Sequence, residues 1–321
     1  MRDGKLDFFK GLLIWSVVLG HCVNVFCPND HILHVILRTF DLPMFMYISG
    51  FLLKGSIARY DWKQLTVNKV TNIVFPAIVW SGISFVVFQD RCFYYFLWAV
   101  FISSVIICLI NACFKKSWQV MTLLLIVAVV FHLIPKNIVN ISFLYPFFLI
   151  GYYSDNISKV SWGKGVVSLG IFACLLIFVW NPRYSIWNTG GFILSNPDFM
   201  LKAVLLRLFI GMAGIYTTVF IFGYLYEISK NSTLIALFEG IGKETLSLYL
   251  LQHLIVEICL LRVVESMGIR DFLIDNQNVI GFVGVPVASF VILVTMYGIV
   301  KMLNRYRYTK WLFGFKIKLS K

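Results

Sequence analysis

Three ionisable side chains lie in the first apolar stretch of the chain, residues 6–26, where a membrane helix ordinarily carries none. They are Asp7, Lys10 and His21. His21 follows Lys10 by eleven positions, close to three helical turns, so both side chains share one helix face about 16 Å apart along the axis. Asp7 falls near the same stripe. Ionisable groups at membrane depth are costly and usually functional, so we expect this face to point into a helix bundle.

The three residue types suit different roles in a proton-transfer site. Histidine has an ordinary pKa near 6.5, so His21 can act as a general base that takes a proton from a hydroxyl group. Lys10 and Asp7 can hold an anion, and each other. Plainer alternatives exist for all three. His21 can hydrogen-bond a neighbouring helix and only stabilise the bundle, and Asp7 with Lys10 can be a local ion pair.

A second polar position occurs in the stretch FDLPMFMYISGFL, residues 40–52. Pro43 lies inside this apolar run and predicts a kink or a helix start, because proline lacks an N–H and clashes with the preceding turn. Asp41 falls at roughly the membrane depth of His21. It can orient that imidazole, or it can cap the N-terminus of a helix that begins there.

Two later positions also combine charge with apolar surroundings. His253 and Glu257 are one turn apart on one helix face, and a carboxylate beside an imidazole fixes its tautomer and raises its basicity. The plainer alternative is a satisfied polar pair inside the membrane. Arg207, at the outer end of a later apolar run, can clamp the hydroxyls or carboxylate of an acceptor, or it can snorkel to lipid headgroups.

Composition sets the class of protein that holds these residues. The 321-residue chain is 60% hydrophobic and 13% charged, with a mean hydropathy of +0.84, whereas soluble domains are about 45–50% apolar and about 25% charged. The net charge of +13 comes mainly from residues between apolar runs, so we expect contact with membrane lipids and no nucleic-acid binding. The seven cysteines lack metal-site spacing, and no metal is expected.

These features predict an all-α polytopic integral membrane protein with about ten transmembrane helices. The second and sixth apolar runs are short, which predicts tilted, broken or partly re-entrant segments. The predicted spans are 8–26, 40–53, 73–89, 93–113, 119–134, 141–154, 165–181, 203–226, 245–263 and 279–302.

The basic residues predict the orientation. Most of the 28 lysines and arginines fall in segments that are cytoplasmic if the N-terminus is cytoplasmic, so both termini are expected on that side of the cell membrane. The longest outer segments are then 27–39, 182–202 and 264–278, where an extracytoplasmic partner would bind. One transmembrane domain, 1–304, precedes a basic, aromatic cytoplasmic tail, 305–321, that is typical of an anchor on anionic lipid.

Several motifs together resemble a known family. The first span ends in Leu-Gly-His at 19–21 and carries the basic Lys10, and residues 40–52 read Phe-x-x-Pro-x-Phe-x-x-Ile-Ser-Gly-Phe. The runs FFLIGYY at 147–153 and GKETLSLYLLQH at 242–253 add to the pattern. The combination, spread over nearly the whole chain, resembles the membrane O-acyltransferases of acyltransferase family 3, and among them the fucose 4-O-acetylase-like subgroup.

The resemblance implies transfer of an acyl group from a cytoplasmic acyl-CoA, acetyl-CoA foremost, to a sugar hydroxyl. The acceptor would be a cell-envelope or exported polysaccharide, or its lipid-linked precursor, reached from the outer face. By the same resemblance Lys10, Lys69 and Asn72 would steady the donor phosphates. At these three positions the family usually has arginine, and it has histidine at the position of Asp41. Lysine keeps the charge but not the bidentate grip of arginine.

Two mechanisms and two other classes of function stay open from the sequence. His21 can deprotonate the sugar hydroxyl or be transiently acylated, with Asp41 or Glu257 orienting a base. The rival function is a proton-coupled transporter or exporter of a lipid-linked sugar, in which His21, Asp41 and His253 form a proton relay. A structural subunit of an envelope complex is the third option, and the oligomeric state is not predicted.

Overall fold

The computed structural model describes residues 4–27, 31–133, 140–157, 161–181, 184, 196–306 and 309–314. This part of the chain is helical apart from turns and short connections, and it contains no strand. Within the described residues, eight helices are long and apolar enough to cross a membrane, and two shorter apolar helices accompany them. The prediction of an all-α polytopic membrane protein is therefore confirmed.

The helices, numbered in chain order, are α1 Gly4–Phe26, α2 Ile32–Ile57, α3 Trp62–Phe88, α4 Tyr95–Cys113, α5 Ser117–Leu133, α6 Ile141–Tyr153, α7 Trp162–Val179, α8 Pro197–Ser229, α9 Thr233–Lys243, α10 Thr245–Ser266, α11 Arg270–Asp275 and α12 Gln277–Arg305. The two short apolar helices are α5 and α6. A π-helical segment occurs in α3, α7, α10 and α12.

The second helix differs from its prediction. It begins at Ile32 rather than near residue 40 and continues for 26 residues through Pro43, so the prediction of a short or broken span is wrong. The residues before Pro43 are themselves apolar enough to extend the helix, and one missing N–H does not end it. Asp41 therefore lies inside the helix, and the alternative that it caps a helix start is also wrong. The sixth span, α6, is short as predicted.

Most of the predicted outer loop 182–202 and most of the predicted tail 305–321 lie outside the described residues. Their proposed roles in partner binding and lipid anchoring stay predictions. The third predicted outer segment, 264–278, contains the short helix α11.

The chain divides into two compact units. The first unit comprises residues 1–41, 76–93 and 222–314, and the second comprises 42–75, 94–221 and 315–321. The predicted active-site residues of α1 and α10 belong to the first unit. Lys69, Asn72 and Arg207 belong to the second.

Helix α1 lies at the centre of the first unit and packs closely on α9. A Cβ atom added at Gly11 would meet the backbone carbonyl of Phe238, and one added at Gly242 would meet the backbone carbonyl of Asp7. Small residues on both helices therefore permit backbone contact, as is common between membrane helices. On another side of α1, the indole nitrogen of Trp15 donates to Ser289 Oγ of α12 at 3.1 Å. These contacts fix the helix that carries Asp7, Lys10 and His21.

In the second unit, α2 and α6 also pack with their backbones in close contact at glycine residues. A Cβ atom added at Gly50 would meet the carbonyl of Phe148, and one added at Gly151 would meet that of Tyr47. Beyond the end of α6, Asp155 forms an ion pair with Lys54 of α2, with Nζ 2.6 Å from Oδ1. This hydrogen bond and charge hold the pKa of the exposed Asp155 carboxyl below its usual value.

Candidate active site

His21 of α1 contacts a carboxylate from α10. Its Nδ1 atom is paired with Oε1 of Glu257, and its side chain is mostly buried. A carboxylate only accepts hydrogen bonds, so Nδ1 carries the proton and Nε2 of the neutral ring keeps a lone pair. This is the tautomer that a general base requires. The carboxylate also stabilises the imidazolium that forms when Nε2 takes up a proton.

Glu257 bridges two histidines. While Oε1 contacts His21, Oε2 lies 2.5 Å from Nδ1 of His253. His253 and Glu257 both lie in the π-helical segment His253–Leu260 of α10. Such segments are rare and occur frequently at functional sites. The predicted contact between His253 and Glu257 is present, and its connection to His21 is a feature that the sequence did not predict.

His253 lies between two carboxylates. Its Nδ1 faces Glu257, and its Nε2 lies 2.8 Å from Oδ2 of Asp90. Both ring nitrogens can donate to carboxylates only when the ring is an imidazolium. In that state His253 has no lone pair, so this geometry favours a cation that holds Glu257 ionised rather than a second base.

Asp90 is a site residue that sequence reasoning missed. Helix α3 ends at Phe88, and Gln89 follows with φ 56° in the left-handed region, which few residues other than glycine adopt. This turn brings Asp90 back toward α3, where Ser84 Oγ donates to its Oδ2 at 3.3 Å. A strained residue beside an active-site contact is a signal of function. The sequence offered only an acidic residue at the end of an apolar run.

The predicted ion pair between Asp7 and Lys10, near the N-terminal end of α1, is present. Lys10 Nζ lies 2.6 Å from Asp7 Oδ1, and the Asp7 side chain is almost fully buried. Lys10 is eleven residues from His21 on the same helix, about 16 Å along the axis, and Asp7 is farther away. The pair therefore lies too far away to touch the atoms that react at His21. Any part in the reaction must be in binding a more distant group.

Asp41 is buried in α2, with 1% of its surface exposed. The carboxylate that contacts Nδ1 of His21 is that of Glu257, which takes the orienting position considered for Asp41. Close by in the sequence, Arg38 Nε donates to Nε2 of His34 at 3.0 Å. A Cβ atom added at Gly20, the residue before His21, would lie 3.8 Å from Cδ2 of His34. Helix α2 therefore contributes a second imidazole to the surroundings of His21.

Lys69 and Asn72 lie where α3 changes to π-helical geometry. Lys69 is the last residue before the segment Val70–Val74, and Asn72 lies inside it. The Asn72 amide donates to the backbone carbonyl of Asn68 at 2.8 Å. Both residues are in the second unit, and their predicted role in donor binding stays a prediction.

The N-terminal part of the chain is similar to a known family of proteins. Residues 3–91 match the family model Acyl_transf_3, which is described as an acyltransferase domain. This similarity supports an O-acyltransferase enzyme. The matched region contains His21, Lys10 and Asp90 but ends long before Glu257 and His253. No solved structure matches the chain.

Two curated relatives extend the similarity over most of the chain. The nodulation protein NolL of Mesorhizobium japonicum is 25% identical over 292 residues, covering 78% of this chain and 76% of the relative. The nodulation protein NolL of Sinorhizobium fredii is 25% identical over 289 residues, covering 78% and 77%. The chain is thus similar to these proteins well beyond the region of the family model. The findings together support a multi-pass membrane acyltransferase.

Proposed function

We propose that the protein transfers an acyl group, acetyl from acetyl-CoA in the simplest case, to a sugar hydroxyl. The acceptor is a cell-envelope or exported polysaccharide, or its lipid-linked precursor. The protein works in the cytoplasmic membrane with both termini inside, and the acceptor is reached from the outer face. The motif likeness to the fucose 4-O-acetylase-like subgroup agrees with a sugar acceptor. One observation carries the proposal: a histidine whose Nδ1 is held by Glu257 and whose Nε2 is left as a base.

The acyl-CoA thioester supplies an electrophilic carbonyl and a thiolate leaving group. His21 Nε2 takes the proton of the sugar hydroxyl as the oxygen attacks the carbonyl carbon. The C–S bond breaks, and His21 returns the same proton to the sulfur, so the products are a sugar ester and a free thiol. Glu257 stabilises the charged ring between these two transfers. His253, held by Asp90, keeps Glu257 ionised.

Lys10 is suited to a distant part of the donor. Its ammonium group is a cation that can attract a phosphate, and it lies 2.6 Å from Asp7 Oδ1 on the helix that also carries His21. A CoA phosphate near Lys10 would lie roughly 16 Å from His21 along α1. An extended pantetheine arm can span such a distance. Lys69 and Asn72 are the other proposed contacts of the donor phosphates.

The test uses purified protein in lipid nanodiscs with acetyl-CoA and a candidate glycan. Thiol release and the gain of one acetyl group by the glycan are measured together. His21→Gln, which removes the base, is expected to lower both by at least about a hundredfold. Unchanged transfer by a correctly folded His21→Gln protein would refute the role of His21.

The same assay separates direct transfer from an acyl-histidine intermediate. In the second mechanism Nε2 attacks the thioester itself, and the wild-type protein gains the mass of one acetyl group when no glycan is present. The His21→Gln protein gains none. Direct transfer predicts that neither protein is labelled.

A transporter remains the second candidate because one observation favours it. His21, Glu257, His253 and Asp90 form an unbroken chain of titratable groups, and such chains conduct protons in membrane pumps. Reconstituted vesicles with a pH gradient test this function. Gradient-driven uptake of a lipid-linked sugar without thiol release supports transport, whereas thiol release that needs no gradient supports the acyltransferase.

A further inference from the structure

Arg207 is a buried cation in the second unit. It lies in α8, with 3% of its surface exposed. Its Nε donates to the carbonyl of Ala203, one turn earlier in the same helix, at 3.3 Å. The centre of the guanidinium lies 5.1 Å from the ring centroid of Phe143 of α6. At this exposure the side chain does not reach lipid headgroups, so the snorkelling alternative does not describe this structure.

The guanidinium has more donors than its surroundings use. Among the described residues, the buried Nη1 atom has no hydrogen-bond partner, and no carboxylate forms an ion pair with the guanidinium. Arginine has five N–H donors and stays charged in proteins. A buried charge without a counterion is strongly unfavourable, so such a group is retained where a partner completes it.

The second unit itself has no suitable counterion. It contains three acidic residues, Asp61, Asp155 and Asp198. Asp61 caps α3 by accepting from the backbone N–H of Lys63, and Asp155 is paired with Lys54. Asp198 is exposed and lies nine residues before Arg207 on α8, about 13 Å along the axis. The sequence segments 134–139 and 185–195 contain no acidic residue.

The Phe143 ring gives the guanidinium an aromatic neighbour. A guanidinium beside an aromatic ring is suited to holding an oxyanion against an apolar or sugar-ring surface.

We propose that Arg207 binds an oxyanion of the acceptor, either a carboxylate of an acidic sugar or a phosphate that links the sugar to a lipid. The inference rests on the proposed function, and it adds that the acceptor is negatively charged. Arg207 makes charge-assisted hydrogen bonds to this group through the donors that the protein leaves unused. Phe143 limits the position of the guanidinium.

Binding is measured on the full-length protein in nanodiscs. Glucuronate, with neutral glucose for comparison, tests a carboxylate, and glucose 1-phosphate tests a soluble phosphate. Nanodiscs of phosphatidylglycerol against phosphatidylcholine test a lipid phosphate whose charge is not neutralised within the headgroup, with thermal stability as the readout. Arg207→Gln is compared with Arg59→Gln. Arg59 is a matched control because its Nε also bonds a carbonyl four residues earlier, Gly55, but it is exposed.

At least one oxyanion probe is expected to bind wild type and Arg59→Gln equally, and Arg207→Gln at least about tenfold more weakly. The probe that responds identifies the source of the oxyanion. Arg207→Lys keeps the charge without the planar fork and should bind with intermediate affinity. It also provides the comparison if the Gln variant does not fold. Equal responses of wild type and the Arg207 variants to every probe would overturn the inference.

A stability measurement without any probe separates binding from a structural role. Arg207→Met replaces an uncompensated buried charge with an apolar side chain, so it should raise the unfolding temperature of the ligand-free protein. A lowered temperature together with unchanged probe binding means that Arg207 is structural. Thiol release from acetyl-CoA by wild type is followed separately, so failure of the acyltransferase proposal is distinguished from failure of this one.

Discussion

Asp90 Oδ2 lies 2.8 Å from Nε2 of His253, on the opposite side of the ring from Glu257. This contact makes His253 a doubly hydrogen-bonded cation between two anions. Of the two imidazoles that contact Glu257, only that of His21 then has a lone pair available for proton transfer. The assignment of the base to His21 therefore depends on Asp90, a residue that does not touch His21.

The first prediction concerns the protonation of His253. In wild-type protein labelled with ¹⁵N-histidine, NMR should show both ring nitrogens of His253 protonated at neutral pH. Asp90→Asn removes the charge that holds the Nε2 proton and should return the ring to a neutral form. Acyl transfer should fall by about tenfold, less than on loss of His21.

Asp275→Asn is the control for this experiment, since Asp275 is an exposed acidic residue of the same unit. It should leave both the spectrum and the transfer rate unchanged. A neutral His253 ring in the wild-type protein would contradict the interpretation that Asp90 and Glu257 hold His253 as a cation.

The second prediction concerns Glu257. Glu257→Gln keeps the size of the side chain but removes the charge that fixes the His21 tautomer, so kcat for acyl transfer should fall at least about tenfold. Glu265→Gln, an exposed position of the same helix α10, should have no effect. Equal rates for the two variants, with equal protein abundance, would show that Glu257 does not assist His21.

Sequence patterns predicted part of this site for a clear physical reason. His253 and Glu257 are four residues apart, so helical geometry alone brings them together. Lys10 and His21 share a face of α1 by the same periodicity. The contact between His21 and Glu257 instead joins α1 to α10, and no local pattern specifies such a tertiary contact.

The position of Asp90 and the start of α2 were not predicted, and each has its own physical cause. Asp90 is positioned by a left-handed turn at Gln89, and a glutamine gives no warning of that conformation, whereas a glycine would. The start of α2 at Ile32 is not evident from the sequence, because Pro43 fits the first turn of a helix as well as the interior position that it occupies. Most other helices were predicted because a membrane span needs a long apolar run.

The third prediction tests Lys10 as a contact of the donor. Lys10→Arg keeps the charge and should preserve activity. Lys10→Gln alone would leave the buried Asp7 without this cation, so the informative variant is Asp7→Asn with Lys10→Gln, which removes both charges. The double variant should raise the KM for acetyl-CoA several-fold with little change in kcat, because the pair lies far from His21.

Lys301→Gln is the control for the lysine change, because Lys301 is an exposed residue over the Tyr297 ring. Its KM for acetyl-CoA should equal that of wild type. An unchanged KM in a folded double variant would leave Asp7 and Lys10 as a local ion pair only.

The fourth prediction concerns the close contact between α1 and α9. A methyl group at Gly242 would meet the backbone carbonyl of Asp7, and a backbone atom cannot rotate away as a side chain can. Gly242→Ala should therefore lower the free energy of unfolding by about 1–3 kcal/mol, measured as a reduced thermal midpoint in nanodiscs.

Gly298→Ala is the matched control, because an added methyl there meets nothing within 4 Å. In the interior of α12 this control should be neutral or stabilising by up to about 1 kcal/mol. Equal stability of the two variants would mean that α1 and α9 do not pack backbone to backbone. Because α1 carries His21, Gly242→Ala should also reduce acyl transfer, whereas Gly298→Ala should not.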